Sequence, residues 1–205
     1  MTMTMNGNNP NPGYMHTIVA LVQDKPGVLN RISSMFRRRG FNIASLAVGQ
    51  SETPGLSRMT FVVITDQIAM VDQVTKQLRK VIDVVKVTNL TGEAIVAREL
   101  ALVKVRATTA AARSEIIQVV ELFRAKIVDV GAESLVIEIT GGDEKIESIM
   151  SLVRGFGILE VMRTGRVAVS RGKKAPLRPN ATEARGNARD PKLAGQAALA
   201  GATND

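Results

Sequence analysis

The sequence predicts an α+β protein built from two successive β-α-β-β-α-β units. Three observations carry that prediction. Short β-branched runs alternate with stretches whose apolar residues recur at helical spacing. Gly, Pro and Asp punctuate the boundaries between them. The six-element rhythm occurs twice between Thr17 and Val169.

The first unit opens with Thr17–Val22, an aliphatic run that reads as a strand. Asp24-Lys25-Pro26-Gly27 breaks it. Asp24 is suited to cap a following helix, and Pro26 to sit in its first turn, where a missing N–H costs nothing. Val28, Leu29, Ile32, Met35 and Phe36 then follow helical spacing as far as Arg39. Gly40 is the expected left-handed stop, and Arg37-Arg38-Arg39 place positive charge at the negative end of the helix dipole. Strands are expected at Ile43–Gly49 and Arg58–Thr65, separated by the turn-rich Ser51-Glu52-Thr53-Pro54-Gly55. A helix over Gln67–Lys80 presents Ile68, Val71, Thr75 and Leu78 on a stripe that continues to Ile82. Asp83–Leu90 closes the unit as a strand, and Thr91-Gly92-Glu93 marks a boundary.

The second unit repeats the order. Leu100–Ala107 reads as a strand and Ala111–Ala125 as a helix with Ile116, Val119, Val120 and Phe123 on one side. Ile127–Gly131 and Leu135–Thr140 form two strands joined by a tight turn. Asp143–Arg154 is a helix with Asp143 as its N-cap, and Ile158–Val169 ends the unit as one or two extended segments. Phe36-Arg37 and Phe123-Arg124, each near the end of a first helix, hint at a duplicated architecture. Both units have the ferredoxin-like order, in which helices cover one face of an antiparallel sheet. The expected organisation is a disordered segment 1–15, a first domain 16–91, a second domain 92–172, and a disordered basic tail 173–205.

Composition narrows the function. Of 205 residues 45% are hydrophobic but only 3% aromatic, so Val, Ile, Leu, Ala and Met must form most of the cores. The absence of Cys removes disulfides, thiolate nucleophiles and Cys-based zinc sites, and suits a reducing cytoplasm. The uncharged, Asn-rich start does not read as a secretory signal, and no run approaches the roughly 18 apolar residues of a membrane span. The net charge is +8. From Arg171 onward seven Lys/Arg face three Asp/Glu, so half of the excess sits in a Pro/Gly/Ala/Asn-rich tail read as solvated.

The chemistry of an enzyme is missing. His16 stands alone at the start of the first strand and reads as a surface residue. Neither clustered metal-ligand residues, a nucleophile elbow, nor a phosphate-binding loop is present. Gly155-Phe156-Gly157 lacks the third glycine of a dinucleotide fingerprint, and Gly141-Gly142-Asp143-Glu144 reads as a turn followed by a helix cap. RNA recognition on such sheets needs stacked aromatics on the central strands. Phe61 alone falls on a central strand of the first unit, and Leu135–Thr140 has no aromatic residue.

Two features remain for a binding protein. In Asp24-Lys25-Pro26-Gly27-Val28-Leu29 a strand end turns into a helix start, where free backbone N–H groups and the positive dipole end favour a carboxylate. Asp24 or Asn42 could hold an ammonium group, and Gly27 would allow close approach of a small ligand. An ordinary capped helix accounts for the same residues. The second feature is the aliphatic sheet, whose edges and uncovered face favour side-by-side dimerisation.

These residues resemble a known family. Strand, Asp-x-Pro-Gly-x-Leu, helix, Gly, strand is similar to an ACT domain, an amino-acid-sensing module. More specific are Arg38-Arg39-Gly40-Phe41-Asn42-Ile43-Ala44-Ser45-Leu46-Ala47-Val48-Gly49, Gly55-Leu56-Ser57-Arg58-Met59-Thr60 and Asp83-Val84-Val85-Lys86-Val87. With Arg98-Glu99-Leu100-Ala101-Leu102-Val103-Lys104-Val105 and Phe123-Arg124-Ala125-Lys126-Ile127-Val128-Asp129-Val130, they resemble the small subunit of acetohydroxyacid (acetolactate) synthase over nearly all of Thr17–Gly172.

The resemblance implies a non-catalytic cytoplasmic subunit that activates a separate large catalytic subunit and confers feedback inhibition by valine or a related branched-chain amino acid. Thiamine diphosphate, magnesium and FAD would belong to that catalytic chain, and this chain would need no cofactor. It also implies a homodimer through the ACT domains, with no nucleic-acid or membrane partner. The effector site would comprise Asp24, Pro26, Gly27, Val28 and Leu29, with Asn42 and Ile43 from across the dimer. The family more often has Asn at position 24, so Asp24 leaves effector identity open. A stand-alone amino-acid sensor or an enzyme would be the alternatives. They would require a DNA-binding or catalytic module and a set of convergent reactive residues, respectively, and neither is visible.

Overall fold

The computed structural model describes residues 15–172. The tail from residue 173 and most of the leading segment, both expected to be disordered, lie outside them. Met15, assigned to that leading segment, instead opens the first strand. The described residues form two compact units, one reaching Ile95 and taking in the chain again from Ser170, the other Val96–Val169.

In the first unit β1 (Met15–Gln23), α1 (Val28–Arg38), β2 (Ser45–Gln50), β3 (Leu56–Ile64), α2 (Ile68–Leu78) and β4 (Val84–Asn89) follow the expected order. The sheet runs β2-β3-β1-β4, every neighbouring pair antiparallel. Strand periodicity turns Ile18, Ala20 and Val22 of β1, with Met59, Phe61 and Val63 of β3, into one core with the apolar stripes of α1 and α2. Few aromatics occur in the chain, yet three of them meet here. Phe36 stacks on Phe61 with ring centroids 5.4 Å apart, and Phe41 meets Phe36 edge-on at 6.2 Å.

Several expectations change in this unit. Ile68 and Ile82, placed on the buried stripe, are 75% and 85% exposed, while Val74 is fully buried. Helix α2 begins only at Ile68 and ends at Leu78, so Ile68 is its first residue and Ile82 lies past its end, where the helical period no longer directs them inward. His16 is buried, not a surface residue; its Nε2 donates to the Thr65 carbonyl at 3.0 Å. On the second face of the sheet, Thr17, Val19 and Leu21 of β1 and Thr60 and Val62 of β3 are all nearly inaccessible. Burial draws the half-buried Arg58 guanidinium on the same face below its ordinary pKa, opposed by the charge of Glu52.

The second unit contains β5 (Ile95–Arg106), α3 (Ala110–Leu122), β6 (Lys126–Val130), β7 (Ser134–Gly141), α4 (Asp143–Val153), β8 (Ile158–Arg163) and β9 (Val167–Ser170). Its sheet is ordered β6-β7-β5-β8, with β9 also pairing β5. Ala101, Val103 and Val105 lie opposite Ile139, Ile137 and Leu135, and this buried face packs on Ile116, Val120, Ile146, Ile149 and Val153. No aromatic residue is fully buried in this core; Phe123 and Phe156 lie at its margin.

The helix ends show what is and is not duplicated. In α1, Gly40 adopts φ 68° and Phe41 N–H donates to the Phe36 carbonyl; after α3, Arg124 adopts φ 50° and Ala125 N–H donates to the Val120 carbonyl. Both are Schellman-type ends. They align Gly40 with Arg124 and Phe36 with Val120, so the Phe-Arg echo in the sequence is three residues out of structural register. At the start of α4 the N-cap is Gly142, and Asp143 is the first helical residue, not the cap. Its carboxylate pairs with Arg166 instead.

Candidate functional site

β1 ends at Gln23, and the chain turns through four exposed residues, Asp24 to Gly27, into α1. Two backbone hydrogen bonds hold the strand end. Gln23 N–H donates to the Asp83 carbonyl at 2.8 Å, and Asp24 N–H to the Gly55 carbonyl at 2.9 Å. Gly27 then takes φ 86°, a left-handed conformation that side chains rarely adopt, and serves as the N-cap of α1. Asp24 is not the cap, and Pro26 lies outside the helix. As a glycine, this N-cap offers the helix no side-chain hydrogen bond. Helix geometry thus leaves the first-turn amides of Leu29 and Asn30 ahead of the intrahelical ladder, which begins with Arg31 N–H donating to Gly27 at 3.0 Å. Val28 is buried in the core and anchors the turn, and Leu29 is 47% exposed beside it.

The expected site residues separate into two groups within one chain. Asp24, Pro26, Gly27, Val28 and Leu29 are contiguous at the Gln23 end of β1. Asn42 and Ile43 precede β2, whose Ser45 pairs with Val62, itself opposite Thr17 near the start of β1. Six residue steps along β1 separate Thr17 from Gln23, about 20 Å at strand rise. Asn42 is exposed, and Ile43 packs partly against the core. One protomer does not bring the two groups together.

Two residues that the sequence did not single out touch the loop. Asp83, 6% exposed, accepts from Arg31 Nη1 at 2.5 Å through Oδ2. In the sequence Asp83 is an acid between aliphatic residues, and Arg31 occupies a polar helical position; only their pairing across 52 residues marks them.

A second cluster of charge lies in the other unit. Arg163 donates to both oxygens of the buried Glu99, at 3.0 and 2.6 Å, and to Glu147 at 2.7 Å. The hydrogen bonds to Glu99 raise the Arg163 pKa above its ordinary value, against the opposing effect of burial. These groups satisfy one another and tie β5, β8 and α4 together. No group of three or more His, Cys, Asp or Glu among the described residues could hold a metal ion. No helix among them is long and apolar enough to cross a membrane.

A four-stranded ferredoxin-like sheet, two helices on one face and a glycine-linked turn into the first helix define the first unit as an ACT domain. Residues 18–86 match the family described as AHAS small subunit-like ACT domain, and residues 98–172 match Small subunit of acetolactate synthase. The probable acetolactate synthase small subunit of Methanothermobacter thermautotrophicus is 52% identical over 159 residues, which cover 78% of this chain and 94% of that protein. The Bacillus subtilis small subunit is 46% identical over 169 residues, covering 82% and 98%. A crystal structure of the small subunit from Thermotoga maritima superposes with a TM-score of 0.71 at 44% identity, covering 78% of this chain and 99% of that one. The chain belongs to the acetolactate synthase small-subunit family.

Proposed function

We propose that this chain activates the large catalytic subunit of acetolactate synthase and makes it responsive to feedback inhibition by valine or a related branched-chain amino acid. The observation that carries the reading is the left-handed Gly27 turn, which exposes the first-turn amides of α1 in an ACT domain of this family. An amino acid's carboxylate would meet those amides, and Leu29 offers an apolar contact for an aliphatic side chain.

The separation of the two groups of site residues supports a homodimer. β2 lies at one edge of the sheet, with Val48 half-exposed. Antiparallel pairing of two β2 edges would carry the partner's Asn42 and Ile43 toward the end where β2 gives way to the Gly55 turn. That turn is hydrogen-bonded to Asp24. The site would then be complete only at the interface, so occupancy and dimer arrangement would be linked. A coupling of about 1–3 kcal/mol corresponds to roughly a 5- to 150-fold change in the partner equilibrium. The second domain, 92–172, would in this reading contact the catalytic subunit. Thiamine diphosphate, magnesium and FAD belong in this reading to that other chain, and a cysteine-free sequence fits a cytoplasmic location.

The deciding measurement is acetolactate formation from pyruvate by the catalytic subunit, with and without this chain, over a valine titration. A rate that rises on adding the chain and falls with valine supports both roles. An unchanged rate with no amino-acid response rejects them.

A further inference from the structure

We infer that Asp83 and Arg31 act as a positioning pair that sets the opening of the Asp24–Gly27 loop and thereby the affinity for the amino-acid effector, an inference that rests on the effector-site reading above. The loop has two ends, the last residue of β1 and the first turn of α1. Asp83 holds both. Its main-chain carbonyl accepts from Gln23 N–H at 2.8 Å, and its carboxylate accepts from Arg31 at 2.5 Å. Arg31 is in turn bound through its own N–H to the Gly27 carbonyl at 3.0 Å. The closed path Gln23, Asp83, Arg31, Gly27 therefore spans the mouth of the loop.

The exposures of the two side chains differ in a way that suits this role. The Asp83 side chain is 8% exposed and so has little freedom to move, whereas that of Arg31 is 57% exposed. Arg31 is thus the member that can yield while Asp83 stays fixed. Asp83 also stands just before β4, whose Val84 and Lys86 pair with Val22 and Leu21 of β1. A shift of β4 or of the turn that precedes it would reach both ends of the loop through Asp83. A ligand that binds one loop opening better than another shifts the population toward it, and the apparent affinity falls with the fraction of molecules in the competent form.

The test is calorimetric titration of the full-length chain with L-valine, L-leucine and L-isoleucine, for wild type, Arg31→Met, Arg31→Lys, Asp83→Asn and the Met/Asn double variant. Thermal melting is recorded alongside. Each single disruption is expected to weaken binding roughly tenfold, about 1.4 kcal/mol. The double variant should lose no more than either single one, because the same pair is broken, and Arg31→Lys should recover part of the loss. If Arg31→Met weakens binding while Asp83→Asn leaves it unchanged or tighter, Arg31 is itself the carboxylate ligand and the pair is not the device. Variants that melt earlier yet bind like wild type reduce the pair to a structural tie and overturn the inference. Wild type that binds none of the three amino acids overturns the effector-site reading, and this inference with it. Should Asp83→Asn not fold, equal affinities of Arg31→Met and Arg31→Lys would still refute the pair.

Discussion

Replacing Gly27 separates backbone strain from ligand chemistry at the same position. Its φ of 86° is one that a non-glycine residue occupies at a cost of roughly 1–2 kcal/mol. A Cβ built there meets nothing within 4 Å, so no steric clash adds to that cost. Reduced freedom of the unfolded chain returns about 0.4–1 kcal/mol, leaving Gly27→Ala about 1 kcal/mol less stable. For a unit of this size that is a fall in melting temperature of roughly 4–8 °C. Gly27→Asp should be the milder change, because Asp tolerates the left-handed region and its charge favours a helix N-terminus by about 0.3–1 kcal/mol. The order should reverse for effector binding. Alanine leaves the amides of Leu29 and Asn30 open, whereas aspartate sets a carboxylate where the ligand's would lie. Thermal melts and valine titrations of both variants check this. Equal loss of binding in the two, or loss that simply tracks stability, would refute the placement of a carboxylate at this turn.

Other consequences are quantitative. Phe61→Ala removes a fully buried ring stacked on Phe36 and should cost about 3–5 kcal/mol in denaturant unfolding. Arg124→Gly relieves a left-handed residue that now ends α3, and should raise stability by about 0.5–1 kcal/mol in the same assay. Arg163→Met strands the buried Glu99, which is 7% exposed. The loss should be about 2 kcal/mol, less than for a fully buried pair because Arg163 itself is one-third exposed. Ile82→Lys should change stability by less than about 0.5 kcal/mol despite replacing a large aliphatic residue, since that side chain is 85% exposed.

Much of the fold is visible in local pattern. The alternation of Ile18, Ala20 and Val22, the helical spacing of Val28, Ile32, Met35 and Phe36, and Gly40 after them each specify an element without reference to the rest of the chain. The candidate loop is visible for the same reason: the run Asp24 to Gly27 lacks the residues to continue either strand or helix. Where local pattern misleads, a longer-range effect is at work. Ile68 and Ile82 fit the apolar period of α2 but lie beyond the turns that face the core. His16 is buried by its place in β1, opposite Val63, which composition around it does not report. The Phe-Arg echo fails because a Schellman ending is fixed by its left-handed residue, and arginine occupies in α3 the position that glycine occupies in α1.

The sequence by itself determined the two successive β-α-β-β-α-β units, their α+β class, the glycine turn into α1 and the absence of a reactive Cys, because each depends on residue type and short-range spacing. It leaves open whether the second unit ends in one strand or two, and the structure has two. Tertiary structure alone decided that Asp83 closes the mouth of that turn through Arg31, and that Asn42 and Ile43 stand at the far end of the sheet from it. Hydrogen bonds and ion pairs form between residues brought together by strand register, and register is set by the burial of whole faces, a property of the folded sheet and not of any one segment.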